Sequence, residues 1–230
     1  EPIEKSFQLT TTTEQDSYLK APKYIEFVVV VDNRMFRKYS NDSNAIRTRV
    51  CEIVNIANKL YRPLNVRIAL TGLEIWSHGD EINVQSDADA TSNLFEKWRE
   101  TILLPRKKND NAQLLTDIDF NGATVGLAAV GSICNSKNSA AIVQDHNSRT
   151  SMMASSMAHE LGHNLGIHHD TTACNCYSNS CIMSPEIGDD PLNEFSSCSL
   201  QEHQRYLINN MPQCLLNKPL STDIVAPAVL

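Results

Sequence analysis

His159-Glu160-Leu161-Gly162-His163-Asn164-Leu165-Gly166-Ile167-His168-His169 places four of the chain's seven histidines within eleven residues. His159 and His163 are four apart, so on a helix they stand one turn above each other on one face and can reach one metal ion. Gly166 permits the left-handed conformation that stops a helix, and the reversal it allows delivers His169 as a third imidazole. Three neutral imidazoles leave one coordination position open, which describes a catalytic zinc site and not a closed structural one. Glu160 projects beside them, placed to hold a water on the metal and take its proton, and zinc brings the pKa of such a water towards neutrality. His168 does not fit the spacing and is expected to be structural or supporting.

A bare HExxH arises by chance in roughly one such chain in a hundred, and the added requirement for Gly166 and His169 lowers that by about three orders of magnitude. The alternative, a helix of solvated histidines, is therefore set aside. Working outward, this helix is expected from about Thr150. Upstream the pattern alternates. Tyr24 to Val31 (YIEFVVVV) is a β-branched run of strand length, apolar on both faces towards its end. Ile46, Val50, Ile53, Val54, Ala57, Leu60 and Tyr61 follow a helical period stopped by Pro63. Val66 to Trp76 reads as a strand, and Leu94, Phe95, Trp98 and Ile102 as a helix closed by Pro105. Further strands are expected around Gln113 to Phe120, Ala123 to Ile133 and Ala140 to Gln144. After Asp170 the sequence is irregular and cysteine-rich, apart from a helix at Leu200 to Asn209. The order is α/β, with a smaller C-terminal part stapled by disulfides.

The 230 residues, 41% hydrophobic and 20% charged, suffice for one large domain or two small ones. A net charge of −7 provides no basic stripe for nucleic acid. The longest strongly apolar run, Phe27 to Val31, is far short of the ~20 residues of a membrane span. Glu1 to Lys20 is polar without an apolar period or a signal-peptide core, and reads as an arm outside the core. Pro219 to Leu230 reads as an extended tail. Seven cysteines favour an oxidising, extracellular setting, and the odd number leaves one without an internal partner; the pairing of the others is open on sequence alone. Asn41-Asp42-Ser43 is an N-glycosylation acceptor.

With Asp170 directly after the third histidine, the chain resembles the adamalysin or reprolysin group of the metzincin zinc proteases, and within it the snake venom metalloproteinases. Tyr24-Ile25-Glu26, Gly72-Leu73-Glu74-Ile75-Trp76-Ser77, Asn111-Ala112-Gln113-Leu114-Leu115-Thr116, Met157 to Gly166 and Glu194-Phe195-Ser196 all read like that family, and the likeness runs from about residue 20 to 217. It implies a twisted, mostly parallel five-stranded sheet with helices, a small irregular lower subdomain, and a substrate cleft between them with zinc at its floor. Met183, fourteen residues past His169, matches the Met-turn beneath the histidines.

The resemblance further implies a protease domain over residues 20–217, a propeptide remnant or disordered arm over 1–19 with the mature terminus near Glu14 or Gln15, and a spacer tail over 218–230. It implies disulfides Cys134–Cys214, Cys174–Cys198 and Cys176–Cys181, leaving Cys51 as a buried inert thiol in a monomer or, alternatively, as the link of a dimer. A structural calcium ion is implied at Glu26, Asp110, the Cys214 carbonyl and Asn217, all oxygen donors suited to a hard cation. The side chain after the scissile bond would enter a pocket built by residues 184–192, with a large apolar residue expected there. The activity implied is that of a secreted zinc endopeptidase acting on fibrinogen, fibrin or basement-membrane proteins, a venom toxin that disturbs haemostasis. The alternative is a toxin that docks to a platelet or matrix protein with catalysis secondary.

Overall fold

The computed structural model describes residues 12–177, 181–188 and 190–227. Five strands form one mixed sheet in the order β2-β1-β3-β5-β4, from Lys23–Val31 (β1), Val66–Ile75 (β2), Asn111–Thr116 (β3), Gly126–Ala128 (β4) and Ala140–Gln144 (β5). All neighbours are parallel except β4, which runs antiparallel to β5 and ends the sheet. The sequence pattern of β1 explains its place. Ile25, Phe27, Val29 and Val31 enter one hydrophobic core, while Val28 and Val30 enter a second on the opposite face. A strand covered on both faces must be apolar at successive positions.

The first core lies beneath Asn33–Lys38 (α2), Ser43–Leu60 (α3), Thr150–Asn164 (α6) and Ser197–Asn210 (α7). The second is covered by Ala88–Trp98 (α4), which continues through a π turn, Arg99–Leu103, into a last α-helical turn, Leu104–Arg106 (α5). Helix α3 opens on Asp42, whose carboxylate accepts from the Asn44 and Ala45 amides, and it buries Ile46, Val50, Ile53, Val54 and Ala57 at the predicted spacing.

Two expectations need correction. Residues 1–11 lie outside the described chain, but Thr13–Lys20 is a capped helix (α1) and not a loose arm. The Tyr18 hydroxyl donates to the Pro212 carbonyl at 2.8 Å, and the buried Lys23 ammonium donates to the carbonyls of Tyr18 and Ala21 at the helix end. Only Tyr18 of this helix is buried, and one residue shows no period. The expected strand over Ala123 to Ile133 shrinks to Gly126–Ala128, because its apolar residues line a cleft and then turn at Gly131, whose φ is +68°. The tail also docks, with residues 228–230 outside the described chain. The Val225 amide donates to Leu70 of β2 at 2.8 Å and Arg47 donates to the Ala226 carbonyl at 3.1 Å. The free thiol of Cys51 is buried under this tail, and burial raises its pKa, away from reactive thiolate.

Cys134 is joined to Cys214, Cys174 to Cys198 and Cys176 to Cys181. The first ties the loop after β4 to the 3-10 turn Gln213–Leu216; the second anchors the loop that follows the third histidine to the start of α7, and the third joins two points of that loop five residues apart, just ahead of Met183.

The corner between β5 and α6 is fixed by a buried charge cluster. Asp145 receives Arg49 of α3 at 2.7 Å and, on its other oxygen, Lys38 and Tyr39, both at 3.1 Å. Removing one member of a buried pair leaves the other uncompensated, so Asp145→Asn is expected to lower stability by about 3–5 kcal/mol. Urea unfolding of variant and parent checks this; a loss under about 1 kcal/mol contradicts it.

Candidate metal centre

Helix α6 is buried almost all round, so its residues are fixed on every side. His159 and His163 lie on it one turn apart, and the chain then stops where predicted: Gly166 adopts φ +85°, and a Cβ there would overlap the Tyr206 ring. His169 returns across the end of the turn. The three Nε2 atoms meet in a triangle with edges of 3.1, 3.1 and 3.2 Å.

Tautomers follow from the backbone. His159 Nδ1 lies 2.7 Å from the Ile182 carbonyl and His163 Nδ1 2.8 Å from the Ile167 carbonyl, so each Nδ1 carries the proton and each Nε2 offers a lone pair to the centre. Burial, then the neighbouring imidazoles, pushes the His159 pKa down to about 4; burial also lowers that of His163. Neutral imidazoles with lone pairs facing one another at this distance repel unless a cation lies between them. Bonds of 2.0–2.1 Å to a tetrahedral zinc ion would set nitrogen–nitrogen edges of about 3.3 Å, so the donors present fit zinc.

Glu160 is buried beside this triangle, and burial raises its pKa to about 8. It faces β4 so closely that a Cβ on Gly126 would lie 2.8 Å from its Cδ and overlap its carboxylate oxygen. Glu160 and the histidines line a cleft of ≈ 970 Å³ between β4 on one side and residues 184–192 on the other; Asp189 of that segment lies outside the described residues.

Met183 is fully buried beneath the centre, where a Cβ on Gly162 would come within 2.6 Å of its sulfur. Its carbonyl accepts from the Asp170 amide at 2.8 Å. Asp170 in turn accepts from the Ser196 and Ser199 hydroxyls at 2.5 and 3.3 Å, fastening the residue after His169 to the start of α7. His168 is exposed on the cleft rim, with its amide held by Glu202 at 2.8 Å.

The second set is far from these histidines in the chain. The Glu26 amide donates to Asp110 Oδ2, and the Asp110 amide to the Glu26 carbonyl, both at 2.8 Å. Burial pushes the Asp110 carboxyl up to about 6. Glu26 Oε2 has no hydrogen bond and is countered by the exposed Lys108 ammonium at 3.3 Å. The turn bearing Cys214 packs against β1, and the Asn217 amide donates to the Cys214 carbonyl at 3.2 Å. Two carboxylates and a carbonyl-bearing turn offer oxygen donors of the kind a hard cation takes. Asn41 is exposed in the turn between α2 and α3.

The model of the Reprolysin (M12B) family of zinc metalloproteases matches residues 23–219. The chain belongs to the reprolysin family. It is 62% identical over 229 residues to the zinc metalloproteinase-disintegrin-like atragin of Naja atra and 60% identical over 229 residues to the snake venom metalloproteinase-disintegrin-like mocarhagin of Naja mossambica. The zinc metalloproteinase-disintegrin-like BmMP of Bungarus multicinctus is 61% identical over 230 residues. Each match covers 100% of this chain and 37% of the relative. At the level of fold alone, a chain from the structure of a chaperone–substrate complex superposes with a TM-score of 0.62 at 14% identity, over 85% of this chain and 36% of the other.

Sequence reading of this reprolysin chain misses the parts that hold the histidines. The Ile182 and Ile167 carbonyls leave no side-chain signal. Gly126 is also missed, although a glycine in an apolar segment can mark close approach of backbone and side chain. Gly126→Ala is expected to retain zinc, measured by atomic absorption, while peptidase activity falls about 100-fold from displacement of Glu160. Full activity in that variant would show that the contact has no such role.

Proposed function

We propose that this domain is a secreted zinc endopeptidase of venom type that cleaves extracellular proteins, with fibrinogen, fibrin and basement-membrane components as the substrates the family resemblance implies. The observation that carries the reading is the convergence of three imidazole lone pairs beside a buried carboxylate in an open cleft. A binding module has no use for Glu160, so docking with catalysis secondary is the weaker reading.

His159, His163 and His169 would hold zinc, which when bound acidifies a water and polarises the scissile carbonyl. The Ile182 and Ile167 carbonyls keep two of these rings in the required tautomer and orientation. Glu160 takes the proton from the attacking water and passes it to the leaving amine; the raised proton affinity that burial gives it suits both steps. Strand β4 pairs with β5 on one side only, and its other edge can pair with an extended substrate across the cleft.

Glu160→Gln is expected to lower peptidase activity about 10²–10⁴-fold while binding zinc as the parent does. A chelator such as 1,10-phenanthroline abolishes activity, and added zinc restores it. Undiminished proteolysis by the Glu160→Gln protein would sink this mechanism, and a biological effect that survives chelation would favour the docking reading.

In the same reading Glu26, Asp110, the Cys214 carbonyl and Asn217 hold calcium, with Lys108 swinging away. Calcium at a hundredfold excess over Kd is then expected to raise Tm by about 5–10 °C, and Asp110→Asn to remove the rise. A Tm indifferent to calcium would refute the site. The burial of Cys51 supports a chain that acts as a monomer and not as a Cys51-linked dimer, and the exposure of Asn41 supports its use as a sugar acceptor.

A further inference from the structure

The cleft wall formed by Val125, Ile187 and Leu192 is apolar, but it includes the hydroxyl of Ser156. This residue lies four positions before Glu160 on α6, about 6 Å along the helix axis, so its hydroxyl sits one turn from the carboxylate. Its oxygen is 2.9 Å from Nε2 of His146, which reaches it from the β5–α6 corner behind the wall. Its other contact, to the Met152 carbonyl at 3.4 Å, is long. The preceding residue, Ser155, donates to the Leu192 carbonyl at 2.9 Å and fastens the opposite wall to the same helix turn. This wall is therefore apolar with one anchored hydroxyl, while Thr124 and Ser184 lie elsewhere in the lining.

We propose that Ser156, anchored by His146, reads the side chain that follows the scissile bond, and that this pocket takes a long side chain ending in a neutral carboxamide ahead of an apolar one of equal length. The inference rests on the endopeptidase reading and names what that site selects. If the Ser156 hydroxyl donates to His146, its lone pairs are left for the cleft; if it accepts from His146, its proton has only the long contact to the Met152 carbonyl and can turn to a ligand. A carboxamide carries both a donor and an acceptor and pairs with either arrangement, whereas a thioether tip is a weak acceptor only. A carboxylate tip is disfavoured, because the acidic side chains lining the cleft are Glu160 and Glu186.

The test uses three peptides identical except for Gln, Met or Glu after the cleaved bond, with kcat/KM measured for the zinc-loaded protein. The parent is expected to favour Gln over Met about five- to tenfold, the size of one net hydrogen bond, and to cleave the Glu peptide least. Ser156→Ala brings the Gln-to-Met ratio to one or below, Ser156→Thr retains it, and His146→Leu reduces it. Because the ratio is taken within each variant, loss of folded protein cancels. A parent that cuts with a ratio at or below one, or a ratio unchanged in Ser156→Ala, overturns the assignment of this pocket alone. A parent that cuts none of the three peptides overturns the endopeptidase reading itself.

Discussion

Three nitrogen lone pairs held within 3.2 Å of one another are mutually repulsive, and the surrounding architecture can be understood as what is needed to keep them there. Two of the imidazoles are tied by their far nitrogens to main-chain carbonyls, one from the segment ahead of Met183 and one from the turn past the helix. Such ties orient a ring without adding charge. Among the described residues the third imidazole shows no tie of this kind; it is placed by the Gly166 reversal and by Asp170, whose carboxylate is gripped from α7.

That division of labour explains the shape of the domain. The sheet and its helices give α6 a rigid bed, with Asn164 at its end bonded to Ala129, Ser132 and Ala140. Between α6 and α7 the described residues form no helix or strand, and disulfides supply the constraint instead. Rigid helix and stapled loop then meet through hydrogen bonds from His159 to Ile182 and from Ser155 to Leu192. The N-terminal helix α1 packs against α7, and Lys23 satisfies the carbonyls of Tyr18 and Ala21 at its C-terminal end.

Much of this was readable from residues alone. The alternation of strands and helices, the glycine stop and the three ligands all declare themselves through period and spacing, which are local properties. The parallel order of the strands and the cysteine partners came only through family resemblance, since nothing local encodes which distant segments meet. What remained hidden has a common physical cause. Main-chain carbonyls at 167 and 182 carry no side-chain signature, Gly126 matters for an atom it lacks, and α1 buries a single tyrosine. An apolar run such as Ala123 to Ile133 can line a cleft as well as fill a strand, and composition does not distinguish the two.

The contact between Gly162 and Met183 bears on chemical ageing. The thioether has no solvent exposure, so oxidants reach it only when the chain opens. Oxidation to the sulfoxide would add a polar oxygen to a sulfur already packed so tightly under α6 that even a methyl group on Gly162 would collide with it. A molecule damaged in this way cannot close its histidine helix over the turn again, so the native fold protects its own capacity to refold.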